Sequence, residues 1–251
     1  SSDLLMMMVE LPVYEVPADL LLPDEIKVMM KNIAKRYSRN YKSYPSLLAW
    51  GISDGIQENH PDSKEYFRQM LQQFNSNSNN MFYKTVLFGA DGIDTDNFDF
   101  ICVRHGRARY KLKNFSRSLS RMKSLAGNTP VLACFGIPIQ PDNYHGYSDP
   151  LSIESQSYYI LNSYKIIQNN DCAGLILSNY NDYKLNNPQL ITNNDNQYLC
   201  AMGLVNRYRK QRLSFETLQT LYNNEKEPLL NAGSYSERTP IAFIIVGILL
   251  G

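Results

Sequence analysis

Short apolar runs alternate with polar, helix-periodic stretches along most of the chain. Leu4 to Val13 is the first apolar run. In "DEIKVMMKNIAKRYSRNYKSY", which follows, Ile26, Met29, Met30, Ile33 and Tyr37 share one face at helical spacing. Asp24 and Glu25 open that helix, where its dipole favours acids. Ser46 to Ile52 predicts a strand, "DSKEYFRQMLQQFNS" a helix and "YKTVLFGAD" a strand. "FDFICVRHG" predicts another strand, then a helix around "FSRSLSRMKSLAG" and a strand in "TPVLACFGIPI". "PLSIESQSYYILNSYKIIQNN" is a helix with Ser152 and Ser155 as candidate caps. "CAGLILSNYND" is the last strand of the series and "LSFETLQTLYNNEK" the last helix.

The six predicted strands are continuous apolar runs rather than alternating ones, as expected when both sheet faces are covered. Repeated β-α units predict a parallel sheet, open or closed into a barrel. The strands end in polar residues ("ISD", "GAD", "VRHG", "NYND"), which places a functional mouth at their C-terminal ends. No GxGxxG follows a strand and no GxxxxGK[ST] occurs, so neither dinucleotide nor P-loop phosphate binding has support.

Both ends read as cut. The chain opens inside a strand-like run, without an initiator Met or signal peptide, and closes in an uncharged apolar run from Pro240 to Gly251. A bilayer span needs about 20 residues. Behind Glu237 and Arg238 the run reads as the start of a transmembrane helix; a last core strand or helix is the other reading. The expected organisation is a barrel over 1–227, a linker over 228–239 and the membrane segment over 240–251. A barrel on such a tether would face the periplasm or the cell exterior.

A composition of 43% apolar and 20% charged residues is that of an ordinary globular chain, and a net charge of +1 argues against a nucleic-acid scaffold. Cys102, Cys134, Cys172 and Cys200 show no CxxC pairing, so no metal site is expected, and they read as buried free thiols. No cofactor is implied.

The ordered strands resemble the catalytic (β/α)8 barrel of family 2 glycoside hydrolases, the β-galactosidase and β-glucuronidase group. "LLMMMVELPVYEVP" resembles the third barrel strand, and "YPSLLAWGISDGI" the fourth, usually HPS-apolar-apolar-x-W-S-x-x-N-E. "FDFICVRHG" resembles the sixth, "TPVLACFGIP" the seventh (usually P-apolar-apolar-x-S-E-x-G) and "CAGLILSNYNDY" the eighth (usually G-x-x-x-W-N-x-x-D-[FY]). "GLVNRYRKQRLSFETLQTLY" resembles the G-L-x-x-x-x-R run into the closing helix. The likeness covers about residues 4 to 226. It implies an α/β (β/α)8 barrel-like fold whose first two strands lie outside this sequence.

The resemblance also says what has changed. Retaining glycosidases place two carboxyl groups about 5–5.5 Å apart, one an acid/base and the other a nucleophile. Aligned on Trp50, the acid/base Glu falls at Gly55, with Asp54 in place of the preceding Asn. Aligned on Gly136, the nucleophile falls at Cys134, with Ala133 in place of Ser. The implied chain is a glycosidase shell without its catalytic residues, a pseudoenzyme.

Other chemistry at the mouth stays open. Glu10, Asp54, Asp91 and Asp182 are carboxyls near strand ends. Asp54, one residue short of the lost acid, is expected to point elsewhere. Cys134 and His105 end adjacent strands and read either as a nucleophile pair or as a core thiol and a loop histidine. His60 and His145 are expected in solvent. Tyr14, Tyr180 and Tyr183 are candidate sugar platforms, and Asn179 is a further mouth residue. The basic run 104–123 reads as a solvated face or as a docking surface for a protein partner or an anionic surface. Two functions follow: a membrane-tethered, non-catalytic barrel that binds glycan or serves assembly, or an active glycosidase using relocated carboxylates or residues from a missing N-terminal part. The second needs two mouth carboxyls within about 5–10 Å.

Overall fold

The structure, a computed structural model, describes residues 6–11, 24–41, 43–75, 80–105, 111–182, 201–231 and 243–246. The chain divides into two compact units, residues 1–106 with 117–134, and residues 107–116 with 135–251.

The first unit carries strands β1 (Met7–Glu10), β2 (Leu47–Asp54), β3 (Met81–Leu87), β4 (Phe100–Arg104) and all but the last residue of β5 (Val131–Phe135). Neighbouring strands are parallel and follow chain order without reversal. That singly wound order is how a barrel is built; a doubly wound sheet reverses at a switch point. Helices α1 (Asp24–Tyr41) and α2 (Pro61–Asn75) pack against each other. Trp50 is fully buried between them and β2, its ring 5.0 Å from Phe74 and 6.5 and 6.3 Å from Tyr37 and Tyr41. The buried row of α1 is Met30, Ala34 and Ser38 rather than Met29. Small Ala34 and Ser38 let the helix approach closely along that row, and Val28 and Met29 turn to solvent.

Helix α3 (Leu112–Ala126) has residues in both units. The second unit holds α4 (Ile153–Asn169), β6 (Gly174–Leu177), α5 (Leu213–Asn231) and β7 (Phe243–Val246). The Ser152 hydroxyl caps α4 by accepting the Ser155 N–H at 3.0 Å. Helices α4 and α5 pack through buried polar contacts: the Ser214 hydroxyl donates to Gln156 Oε1 at 2.8 Å, and Gln156 Nε2 donates to the Ile137 carbonyl at 3.1 Å.

The tail corrects one expectation. Phe243–Val246 is a strand paired in parallel with Gly174–Leu177, not the first turns of a transmembrane helix. A short, β-branched apolar run satisfies a buried parallel strand as well as a helix, and periodicity cannot separate the two. Among the described residues no helix is long and apolar enough to cross a membrane. Helix α5 also runs on to Asn231, four residues into the stretch read as a linker.

Candidate functional site

The register of the first unit places a polar cluster at the C-terminal ends of its strands. Glu10 lies level with Gly51, Gly51 with Tyr83 and Tyr83 with Phe100. Two residues on, on the same face, Asp54 is level with Thr85 and Thr85 with Cys102. Arg104 and Cys134 form the next rung.

Asp54 reaches this face through a β-bulge. Between Gly51 and Asp54 the register with β3 shifts, so Asp54 takes the rung that regular alternation would give to Ser53. The expectation that Asp54 points elsewhere is therefore corrected. The bulge ends at Gly55, which has φ +76° and whose N–H donates to the Thr85 carbonyl at 2.8 Å. A side chain there would meet a backbone that L residues seldom adopt.

Arg104 Nε stands 2.9 Å from Asp54 Oδ1, an ion pair with side chains 18% and 12% exposed. Beside it, half-buried Glu10 accepts a hydrogen bond from the Thr85 hydroxyl at 3.0 Å. Burial, and then the negative charge of Asp54, push the Glu10 pKa up to about 8; Thr85 and Arg104 pull the other way less strongly. Glu10 is therefore mostly protonated at pH 7. Burial likewise raises the Tyr83 phenol and the Cys102 thiol well above their usual ranges, with Glu10 adding to the first and Cys134 and Glu10 to the second.

Gly51 makes this packing possible. A Cβ there would lie 2.6 Å from Tyr83 Cζ and 2.8 Å from Glu10 Cγ, so the tyrosine and the acid meet over a bare backbone. Tyr83 in turn stacks on Phe100, ring centroids 5.1 Å apart and 9° from parallel.

His105 and Cys134 are joined through their backbones, the His105 N–H donating to the Cys134 carbonyl at 2.9 Å. The imidazole meets the Phe88 ring edge-on at 4.8 Å. Asp91 lies in solvent with Arg121 at 3.3 Å. His145 is exposed, while His60 is half-buried beside Asp62. Tyr14 and Tyr183 lie outside the described residues.

In the second unit Asn179 is half-buried and Tyr180 exposed. Asp182 is engaged by Arg212, whose Nη1 donates to its Oδ1 at 2.8 Å and to the Gly203 carbonyl at 2.7 Å, while the Gly203 N–H donates to the same carboxylate at 3.0 Å. A Cβ at Gly203 would come within 2.5 Å of the Asn181–Asp182 backbone, so this clamp requires glycine.

Sequence reasoning missed Thr85 and Tyr83, and placed Arg104 only in a polar strand end and the basic run 104–123. Their signal was the two-residue spacing Tyr83–Thr85 and Cys102–Arg104, which puts polar groups on one face of buried strands. The cluster can hold a proton on one carboxyl beside a second carboxyl paired with a guanidinium. Among the described residues no group of three or more His, Cys, Asp or Glu could hold a metal ion.

No protein-family model matches the sequence, and no curated protein matches it. Solved structures do. The chain is similar to a Ruminococcus gnavus β-glucuronidase (TM-score 0.69, 16% identity, covering 79% of this chain and 36% of that one). It is similar to a Bifidobacterium dentium β-glucuronidase complexed with coumarin-3-O-glucuronide (0.73, 14%, 87% and 37%). It is also similar to a β-galacturonidase of glycoside hydrolase family 2 from Eisenbergiella tayi bound to galacturonate (0.72, 12%, 86% and 40%). The fold is glycoside hydrolase family 2-like. The chain spans between a third and two fifths of the length of these proteins, and identities this low speak for fold alone.

Proposed function

We propose that this chain is a non-catalytic, glycosidase-like barrel segment that binds a glycan end group at the strand ends of its first unit. The observation that carries the reading is Gly55. The family resemblance gives this position to the acid/base glutamate, and here it is a left-handed glycine with no proton to donate. Cys134 stands where the same resemblance gives the nucleophile. The carboxyls at the strand ends are already engaged, Asp54 by Arg104 and Glu10 by Thr85. A uronate is the first ligand to try, because the structural neighbours are glucuronidases and a galacturonidase by name and Arg104 supplies a cation. The test combines 4-methylumbelliferyl β-glucuronide, β-galacturonide and β-galactoside turnover with calorimetric titration of glucuronate and galacturonate. The expected result is no turnover above buffer, with uronate binding that Arg104→Ala weakens. Absence of both binding and turnover would overturn the glycan reading and leave the barrel as an assembly domain.

One observation favours a second reading, an active glycosidase. Protonated Glu10 beside the charge of Asp54 is the division of labour that an acid/base pair needs. Turnover of any of the three substrates that disappears in Glu10→Gln would establish it.

A further inference from the structure

The second unit displays an aromatic corner that neither reading of the strand ends uses. Tyr147 and Tyr158 are 66% and 46% exposed, yet their rings meet edge to face, centroids 6.2 Å apart and 68° between planes. Tyr159 backs Tyr158 at 5.7 Å. Large exposed rings that already touch are set for a ligand: the cost of ordering them has been met in the free protein.

The loop carrying Tyr147 is fixed by its own polar core. The Ser155 hydroxyl donates to the Tyr147 carbonyl at 3.2 Å and to the Asp149 carbonyl at 2.5 Å. Buried Asn143 donates to Asp149 Oδ2 at 2.8 Å, and the Leu151 N–H to Asp149 Oδ1 at 2.9 Å. The Asn143 amide, followed by Leu151, holds the Asp149 carboxyl below its usual range, so the loop keeps a negative charge at neutral pH. His145, 80% exposed, stands 3.5 Å from that carboxylate.

We propose that the Tyr147–Tyr158 corner is a binding site for a single neutral pyranose residue. One ring takes the apolar C–H face of the sugar and the second, steeply tilted ring closes its edge. A flat strip of parallel rings would suit a polysaccharide chain; a corner suits one residue. The fixed negative charge of Asp149 disfavours a uronate, so the corner and the strand ends select different sugars. This site is independent of the function proposed above.

The test is saturation-transfer NMR on the full chain, with methyl β-glucopyranoside, methyl β-galactopyranoside and methyl α-mannopyranoside as neutral probes and glucuronate as the charged one. At least one neutral glycoside is expected to receive saturation, strongest at the protons of one ring face. Tyr147→Ala abolishes that transfer, Tyr147→Phe keeps it, and Tyr208→Ala, an exposed tyrosine whose ring faces Arg207 instead, leaves it unchanged. Arg104→Ala leaves it unchanged too, which separates this site from the strand ends. No transfer to any neutral probe, or transfer that survives Tyr147→Ala, overturns the proposal. Transfer to glucuronate that is equally sensitive to Tyr147→Ala overturns the selectivity.

Discussion

Two ion pairs stand on neighbouring strands of the first unit and have opposite characters. Lys84, from the middle of β3, meets Glu58 with side chains 0% and 3% exposed, on the opposite face from Tyr83 and Thr85. The Lys84 ammonium lies 4.4 Å from the Phe67 ring centroid and 4.9 Å from that of Phe98. Glu58 also accepts the Asp94 N–H at 3.2 Å, so the pair ties the loop after β2 to the loop after β3. Burial pushes Glu58 up and Lys84 down, and the facing charges oppose both shifts. Arg104 and Asp54 are more open, and they carry a surplus. Glu10 adds a second carboxyl to a site with one guanidinium, and it carries a proton where Glu58 meets a cation of its own. A sealed pair with matched charges is architecture. The second pair differs in having a further acid, protonated at neutral pH, packed beside it.

The largest effect is expected where the seal is complete. Lys84→Ala leaves Glu58 buried without its cation and should cost about 3–5 kcal/mol. Urea unfolding followed by circular dichroism measures it. Removing both charges with Lys84→Met and Glu58→Leu should recover most of that loss, since well-packed apolar residues replace buried pairs at little cost. A double variant as unstable as the single one would mean that the Phe67 and Phe98 cage, rather than the charge, holds the segment. Arg104→Ala at the second pair should cost less, because its side chains are less deeply sealed, 18% and 12% exposed against 0% and 3%.

A smaller loss is expected on the other face, at Gly51. Gly51→Ala drives a methyl into Tyr83 and Glu10, and overpacking of this kind costs about 1–3 kcal/mol. The same change separates the tyrosine from the acid, so uronate binding should fall with stability if the strand ends are the ligand site. Binding that persists unchanged would move the ligand elsewhere. Tyr83→Phe, which removes only the hydroxyl, separates the steric part of the effect from the polar part.

The contrast between the pairs also marks what could be read from sequence. The parallel sheet was legible, because β2 to β6 are largely apolar runs with polar ends separated by helix-periodic stretches; that it is singly wound followed only from the family resemblance. The sealed pair was not. Nothing in "YKTVLF" marks its lysine as one of a buried pair, and its partner lies 26 residues away. The bulge was equally hidden, since nothing in "GISDG" marks where alternation slips. Its consequence was an Asp54 expected to point away that instead joins Glu10 and Arg104. The run 240–251 reads as the start of a membrane helix or as a last core element, with no partner in view to decide; β6, which pairs with Phe243–Val246, lies far back along the chain. Tyr147 and Tyr158 are 11 positions apart, in a loop and a helix, and only the folded chain brings their rings together.

The mildest prediction tests the surplus proton itself. Glu10 titrates near pH 8 in the folded chain and near 4.5 when unfolded. Between those values the folded state holds a proton that the unfolded state has released, so its contribution is fully present below about pH 4.5, declines as pH rises, and is gone above about pH 8. Glu10→Gln cannot titrate. Its urea midpoint should therefore fall less between pH 5 and pH 8 than that of the parent chain, and at pH 8 it should be the more stable of the two. Asp54→Asn removes the charge that helps raise the Glu10 pKa, so it should move the upper end of the decline to lower pH without abolishing it. The Lys84–Glu58 pair is untouched by either change and serves as the internal control. If Glu10→Gln follows the parent chain across the whole range, Glu10 is an ordinary ionised carboxylate, and the case for a special acid at the strand ends falls with it.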